Sequence, residues 1–183
     1  VVCDVHLPDG TATDVIQGAA LVNASRIIAV DINQAKLDFC KRFGATDLVN
    51  ASETDPVEAI RQLTGGGVDF AFDSFGGTET IAQCVDAVRM NGVAVMVGLA
   101  PDGARAPIEV TTLVRNQKHL MGSYYGSASP HETFGKMIEF YRQGKIDVAA
   151  QITRRYPLGE INEAFDDLIA GKPGRGVIDY GRE

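Results

Sequence analysis

The sequence predicts an α/β fold built on a doubly wound parallel sheet, followed by a C-terminal helical tail. Short apolar runs typical of strands alternate with stretches typical of helices along most of the chain. Such alternation favours a parallel sheet covered by helices. Two of the runs, 26–31 and 93–98, are almost wholly apolar, as strands buried on both faces must be.

The individual elements of this sheet can be placed from apolar runs and helix punctuation. We expect strands at 2–7, 26–31, 47–50, 68–73, 93–98 and 118–124, and helices at 11–24, 33–43, 55–64 and 77–90. Gly44 follows a basic last turn and closes the second helix, whereas Pro56 lies in a first turn, where its missing N–H is harmless. Gly65-Gly66-Gly67 separates the third helix from the strand at 68–73.

The segment after about residue 125 has a different pattern. A turn at 127–130 precedes two amphipathic helices, 131–143 and 158–170, and a short final strand at 176–180. This tail has little apolar area of its own, so we expect it to pack on the sheet or on a domain outside this chain. The predicted organisation is therefore a first domain at 1–124 and a tail at 125–183.

Composition and charge exclude several classes of function. The 183 residues carry a formal net charge of −7 with dispersed basic residues, which argues against a general nucleic-acid binder or an anionic-membrane binder. No apolar stretch approaches the roughly 20 residues that a membrane-spanning helix needs. The three cysteines, Cys3, Cys40 and Cys84, form no C-x-x-C pair and predict reduced thiols in a cytoplasmic protein.

Asp31 is the residue that most clearly indicates function. It ends an apolar run that follows strand, turn and helix, the position at which dinucleotide-binding folds receive the adenosine ribose hydroxyls. Its charge would repel a 2′-phosphate, so NAD is favoured over NADP. The alternative interpretation is a polar strand end that caps the next helix.

Several segments resemble the zinc-dependent medium-chain alcohol dehydrogenases in their order and spacing. They are 15–19 (VIQGA), 27–36 (IIAVDINQAK), 43–47 (FGATD), 95–99 (VMVGL), 118–130 (KHLMGSYYGSASP) and 157–165 (PLGEINEAF), followed by Gly171-Lys172 and 175–178 (RGVI). The resemblance implies a Rossmann-type cofactor-binding domain and a tail that completes a catalytic domain. In the family that catalytic domain lies upstream and carries the zinc ligands, so we expect a fragment with neither catalytic nor metal-ligating residues.

The turn after the first strand departs from the three-glycine pattern that cradles a pyrophosphate. Its three glycine positions fall on Leu7, Asp9 and Ala12, and only Gly10 survives between the second and the third. Two like charges about 4 Å apart at an effective dielectric near 20 repel by roughly 4 kcal/mol. We therefore expect Asp9 to weaken NAD binding, with Gly10 as the remaining candidate contact in this turn.

The resemblance implies further cofactor-binding residues along the carboxyl ends of the strands. Ile32 accompanies Asp31, and Lys36 matches a cation near the adenosine ribose; a solvated lysine is the alternative for Lys36. Arg175 matches an arginine that pairs with the pyrophosphate. The remaining candidates are Ser74 and Phe75 at the adenine and ribose, and Val97, Gly98, Leu99, Ser123 and Tyr125 at the nicotinamide carboxamide.

Two functional hypotheses follow. The first is the cofactor-binding part of an NAD-dependent alcohol dehydrogenase-like oxidoreductase, inactive alone and without bound zinc. The second is a non-enzymatic module that binds a nucleotide weakly or only dimerises. The resemblance implies pairing of sheet edges through the last Rossmann strand. The stretch 120–125 carries no charge that would discourage such pairing, so we expect a homodimer through the edge near 118–125.

Overall fold

The computed structural model describes residues 2–4 and 11–181, and for residues 2–4 and Thr11 it describes the backbone alone. Six parallel strands form one sheet in the order β3-β2-β1-β4-β5-β6. They are β1 Val2–Asp4, β2 Ile28–Asp31, β3 Asp47–Asn50, β4 Val68–Asp73, β5 Val88–Met96 and β6 His119–Gly122. The strand order reverses between β1 and β4, which is the topology of the doubly wound fold. The predicted fold class is therefore confirmed.

Helices connect the strands of this sheet. They are α1 Thr11–Leu21, α2 Gln34–Lys41, α3 Pro56–Thr64, α4 Thr78–Ala87 and α5 Val110–Arg115. Helix α3 shows why they form where they do, because Asp55 Oδ1 accepts a hydrogen bond of 2.8 Å from the Glu58 amide and Pro56 occupies the first turn. Gly65 then ends the helix in the left-handed region at φ +74°. The six-residue helix α5 was not predicted.

The core lies in two layers, one on each face of the sheet. Ile28 and Val30 of β2 pack with Ile60 of α3, whereas Ala29, between them, belongs to the opposite cluster with Leu37 of α2. Alternate residues of a strand point to opposite faces. All four residues of β2 are buried, as the apolar run predicted for a strand covered on both sides.

The boundary between α4 and β5 differs from the prediction of a helix at 77–90. Helix α4 ends at Ala87 and β5 begins immediately at Val88. The strand then bends, because Asn91 has φ +59° and the pairing of β4 with β5 shifts register between Val68 and Phe70. A helical continuation across this point was wrong because the chain re-enters the sheet earlier.

The tail contains more structure than predicted. It comprises α6 Pro130–Arg142, β7 Ile152–Tyr156, α7 Ile161–Ile169 and β8 Arg175–Ile178, with 3-10 turns at Tyr125–Ser127, Ala149–Gln151 and Leu158–Glu160. Strands β7 and β8 pair in parallel as a separate two-stranded sheet. Strand β7 was missed, although Ile152, Thr153 and Tyr156 are residues that favour strands.

The tail packs on helix α1. Gln17 Oε1 accepts a hydrogen bond of 2.6 Å from the Asp147 amide, and the Gln151 side chain donates to Asp14 Oδ1 at 2.7 Å. Ala150 packs against the core cluster below α1 and α2. Helix α6 differs, since none of its residues is buried. None of the helices within the described part of the chain is long and apolar enough to cross a membrane.

Candidate functional site

A cavity of about 430 Å³ lies at the carboxyl ends of β2, β3 and β4. Asp31 and Ile32 line it from the end of β2, Ala51 from the end of β3, and Phe75 from the turn after β4. Strand β1 lies between β2 and β4, so the cavity is beside the point at which the strand order reverses. Ligands of doubly wound sheets bind in the crevice at this position.

Asp31 is held at the mouth of this cavity by the turn into α2. Its side chain is 1% exposed, and Oδ1 accepts a hydrogen bond of 2.6 Å from the Asn33 amide. Asn33 in turn caps α2 by accepting from the Ala35 amide at 2.9 Å. The residue that caps α2 is therefore Asn33 and not Asp31, which fixes the turn before the helix and lines the cavity.

The negative charge of Asp31 affects the pKa of Cys40, a buried residue of α2. Burial raises the pKa of the Cys40 thiol to about 12, the negative charge of Asp31 adds to this rise, and Lys36 opposes it. The neutral thiol is thus strongly favoured beside the carboxylate. Cys40 and Cys84 are both buried, and neither forms a disulfide within the described residues.

Asp73, which the sequence analysis missed, organises the turn between β4 and α4. Its carboxylate is fully buried and accepts hydrogen bonds from the Gly76 amide at 2.8 Å and the Thr80 hydroxyl at 2.7 Å. These bonds fix the path of the chain around Ser74, which is buried, and Phe75, which faces the cavity. A carboxylate at the end of a buried strand, with glycine and threonine just after it, was the available signal.

Two glycines allow the turns after β4 and β5 to touch. A Cβ on Gly98 would lie 2.3 Å from the Gly76 nitrogen and 2.4 Å from the Phe75 carbonyl carbon. Gly76 has φ +83°, and a Cβ there would overlap the backbone of Leu99. The close approach requires Gly98 and Gly76, and it ties the predicted positions 74–75 and 97–99 into one unit.

The predicted nicotinamide positions lie farther along the same edge of the sheet. The amides of Val97 and Gly98 donate to the Asp73 carbonyl oxygen at 2.8 and 3.0 Å, and the Ser123 amide donates to Met96 at 2.8 Å. These N–H groups are therefore engaged within the protein. Leu99 and Tyr125 are 77% and 82% exposed, so their side chains lie on the surface.

The two predicted cations lie near the start of α1 and the tail. Arg175 forms an ion pair with Asp14 in the first turn of α1, with 2.5 Å between Nη2 and Oδ2. Lys36 reaches the loop before β8, where a Cβ on Gly171 would lie 3.6 Å from its Nζ. Neither residue lines the cavity that contains Asp31.

The cavity itself is acidic. Asp31 and Glu79 contribute carboxylates, and none of the described residues that line it is a lysine or arginine. Hydroxyl and amino donors suit such a site, whereas an additional phosphate would meet two like charges without a counter-ion. The residues present therefore fit the hydroxyl-bearing and base-bearing part of a nucleotide.

The predicted phosphate-binding turn cannot be placed in the same way. Leu7, Asp9 and Gly10 lie outside the described residues. Ala12, at the third glycine position, is buried in the cluster with Ile16 of α1. A small residue there permits the close packing of helix and strand that this position requires.

A zinc site does not fit the donors that the structure describes. Zinc requires at least three protein ligands from histidine, cysteine or carboxylate side chains. Within residues 12–181, no group of three such side chains lies together in a way that could hold a metal ion. No chemical step is therefore assigned to a metal on these residues.

Proteins of known family resemble this chain in sequence. A model of the zinc-binding dehydrogenase family matches residues 10–143. The S-(hydroxymethyl)glutathione dehydrogenase of Saccharomyces cerevisiae is 38% identical over 170 residues, which cover 90% of this chain and 44% of that protein. The class-3 alcohol dehydrogenase of Cereibacter sphaeroides is 34% identical over 179 residues, or 92% of this chain and 47% of that protein.

A solved structure also resembles this chain in its fold. The benzyl alcohol dehydrogenase of Acinetobacter calcoaceticus superposes with a TM-score of 0.90 at 34% identity, covering 96% of this chain and 49% of that one. The chain thus spans about half the length of the relatives that it matches. It matches their cofactor-binding, C-terminal part. On its sequence and its fold alike, the chain belongs to the zinc-binding dehydrogenase family.

Proposed function

We propose that this chain is the NAD-binding part of an alcohol dehydrogenase-like oxidoreductase. Together with a zinc-bearing catalytic region, it would support hydride transfer between the nicotinamide and an alcohol or aldehyde carbon. The relatives that carry this proposal include dehydrogenases of S-(hydroxymethyl)glutathione and of benzyl alcohol. The alcohol that this chain would serve depends on a catalytic region that these residues do not supply.

The observation that carries the proposal is the placement of Asp31. A buried carboxylate at the carboxyl end of β2 lines a cavity between Ile32 and Phe75, beside the reversal of strand order. A carboxylate at this position accepts hydrogen bonds from both ribose hydroxyls of the adenosine. The charge of Asp31 favours NAD over a 2′-phosphorylated cofactor, and among the described residues that line the cavity no lysine or arginine offsets it.

The remaining predicted contacts extend from this point. Phe75 would pack against the base. The loops at 97–99 and 123–125 would hold the carboxamide of the nicotinamide through backbone groups other than the amides of Val97, Gly98 and Ser123, which bond within the protein. Arg175 and Lys36 would supply positive charge to the pyrophosphate and the ribose. Asp9 would oppose pyrophosphate binding, so we expect affinity below that of a chain with glycine at this position.

NADH fluorescence tests the proposal directly, because the chain has no tryptophan to add background. We expect saturable binding at micromolar to millimolar NADH, tightened by Asp9→Gly. Asp31→Asn should weaken binding about tenfold or more, since hydrogen bonds to a charged group contribute about 1.5–3 kcal/mol. The control is Asp38→Asn, which removes an exposed carboxylate of α2 that forms an ion pair with Lys41, accepts a hydrogen bond from Gln34 and does not line the cavity.

The outcomes separate clearly. Absence of NADH binding in both the native chain and Asp9→Gly would refute an NAD-binding role. Unchanged affinity in Asp31→Asn would refute the role assigned to that carboxylate. We also expect no turnover of simple alcohols with NAD by the purified chain supplied with zinc, and measurable turnover would contradict inactivity of the chain alone.

Self-association is the second candidate function, and one observation favours it. All four residues of the edge strand β6 are exposed, including Leu120 and Met121 at 43% and 49%. Pairing of two such edges would form a homodimer through residues 118–125. Light scattering during size-exclusion chromatography tests this, and a strictly monomeric chain would refute it.

Two further proposals concern the domain organisation of the chain and the compartment in which it functions. The chain would divide into a cofactor-binding domain at 1–124 and a tail at 125–183 that completes a catalytic domain. The exposed apolar side chains of α6, such as Phe134 and Ile138, support the need for a further packing partner. Cys40 and Cys84 are buried and form no disulfide, which is compatible with a reducing compartment, and we propose the cytoplasm.

A further inference from the structure

Helix α4 forms one wall of the cavity that contains Asp31. Thr78, Glu79, Thr80 and Gln83 all line it from this helix. Glu79 and Gln83 are four residues apart, so their side chains lie one above the other on the same side of the helix. The cavity therefore has a polar wall in addition to its apolar surfaces.

Two of these side chains keep their hydrogen-bonding capacity. Thr80 donates to Asp73 and is thereby committed to the turn. Glu79 is exposed at the rim and Gln83 is half-buried, and neither side chain forms a hydrogen bond or ion pair with another described residue. A carboxylate and an amide thus face the cavity with acceptors and donors available to a ligand.

From this arrangement we propose that Gln83 and Glu79 read the base of the bound nucleotide and select adenine over 6-oxopurines. The proposal rests on the nucleotide-binding function proposed above and adds base specificity to it. Gln83 presents an amide, the side chain that pairs with the N6 amino group and N7 of adenine. The Glu79 carboxylate accepts from the same amino group.

Selection follows from what a 6-oxopurine would present instead. Hypoxanthine places a carbonyl oxygen at the position of the adenine amino group. That oxygen would face the Glu79 carboxylate, which has no proton to donate at neutral pH. Gln83 could rotate its amide to donate to that oxygen, whereas the Glu79 carboxylate would repel it and could accept only from the neighbouring N1–H of the ring. The charge of Glu79 thus disfavours the oxo base, whereas Gln83 orients the amino base.

AMP and IMP test this inference without requiring the dinucleotide. They differ at position 6 of the purine and in the proton that IMP carries on N1, and each would place its ribose at Asp31. We expect calorimetric titration of the full chain to give AMP a roughly tenfold lower dissociation constant than IMP, within the discrimination typical of one bidentate base contact. Gln83→Leu and Glu79→Gln should each reduce this ratio towards one.

Two control variants make the same kinds of substitution outside the cavity, so that effects unrelated to base recognition can be identified. Gln62→Leu removes a glutamine of α3 that bonds Glu58 and does not line the cavity, and Glu132→Gln removes a carboxylate from the first turn of α6. Both should retain the AMP preference. Circular dichroism of all variants would verify the fold.

Each outcome has a distinct consequence. Equal binding of AMP and IMP by the native chain, or a preference that survives both cavity variants, would overturn base reading and leave nucleotide binding intact. Absence of binding by AMP, IMP and NADH alike would overturn the nucleotide-binding function and this inference together. A preference for AMP that collapses in both cavity variants and persists in both controls would establish the inference.

Discussion

Asp14 and Arg175, which are 161 residues apart in the chain, form an ion pair between the first turn of α1 and strand β8. The same Asp14 carboxylate accepts a hydrogen bond from the buried Gln151. One acidic side chain therefore holds the tail to the helix that follows the predicted phosphate-binding turn. It also engages the arginine that the family resemblance assigns to the pyrophosphate.

Asp14→Asn should tighten NADH binding by the native chain. The amide keeps the shape of the carboxylate but removes a charge that competes with phosphate for Arg175. Since partly exposed ion pairs contribute up to about 1 kcal/mol, we expect up to about a fivefold lower dissociation constant by NADH fluorescence. Asp38→Asn, in the exposed pair with Lys41, is the control and should leave affinity unchanged.

Arg175→Gln provides the complementary measurement. If Arg175 contacts the pyrophosphate, this change should weaken NADH binding and abolish the gain produced by Asp14→Asn. Equal affinity in the native chain and both variants would show that neither side chain influences the phosphate. The role of Arg175 would then be limited to attaching the tail to α1.

Thr80→Val should destabilise the fold and impair nucleotide binding together. The change is nearly isosteric, but it removes the hydroxyl that donates to the fully buried Asp73. Loss of a hydrogen bond to a buried charged group costs about 1.5–3 kcal/mol. Urea denaturation should show this decrease in the free energy of unfolding, accompanied by weaker NADH binding as the turn at 74–77 loosens.

Thr78→Val is the matched control for Thr80→Val. Thr78 lines the same cavity two residues earlier, but it is exposed and forms no side-chain hydrogen bond with another described residue. We expect its unfolding free energy to remain within about 0.5 kcal/mol of the native value. Comparable losses in the two valine variants would contradict the role assigned to the Thr80–Asp73 bond.

The sequence alone predicted those strands and helices whose pattern of apolar residues lies within the element itself. Strand β2 is apolar because both of its faces are buried, so Ile28 through Val30 predicted it directly. Strand β7 was missed for two reasons. Its partner among the described strands is β8, about 20 residues later, and Arg154 and Arg155 interrupt its apolar pattern. Its existence depends on a partner that local periodicity does not reveal.

The candidate site was likewise predictable only where the signal is local in the sequence. Asp31 was found because its position after strand, turn, helix and strand is itself the signal. Asp73 and Asp14 were missed because their roles arise from contacts between turns and distant segments, with Thr80 and Arg175 respectively. These two contacts form only once the sheet is assembled. The spacing of residues within one helix or strand therefore does not predict them.

Gly98→Ala and Gly135→Ala should change stability in opposite directions. A Cβ at Gly98 would overlap the backbone of Phe75 and Gly76, which cannot move without displacing the turn, so we expect a loss of about 1–3 kcal/mol or more. Gly135 lies inside α6 with nothing within 4 Å of an added Cβ. Alanine there should stabilise the helix by up to about 1 kcal/mol.

Urea denaturation of both variants measures this contrast. NADH binding should decrease in Gly98→Ala and remain unchanged in Gly135→Ala, because only the first lies beside the cavity-lining turn. A neutral Gly98→Ala would refute the close approach of the turns after β4 and β5. A destabilising Gly135→Ala would indicate a contact on α6 that involves residues other than those described.

Alkaline pH should destabilise the fold through Cys40. Burial, together with the charge of Asp31, raises the pKa of this thiol to about 12, whereas a thiol in the unfolded chain has a pKa near 8.5. The unfolded chain therefore loses the proton first as the pH increases. The stabilisation is fully present below about pH 8.5 and is lost progressively between about 8.5 and 12.

Urea denaturation at several pH values between 7 and 10 measures this effect. Cys40→Ala should be less stable at pH 7 because it leaves a small cavity, but its unfolding free energy should fall less steeply above pH 8.5. The slopes should differ by at most about 1.4 kcal/mol per pH unit, the value for one proton. Every other titrating side chain is common to the two proteins, so the difference reports Cys40, and parallel curves would show that its thiol ionises as readily in the folded chain as in the unfolded one.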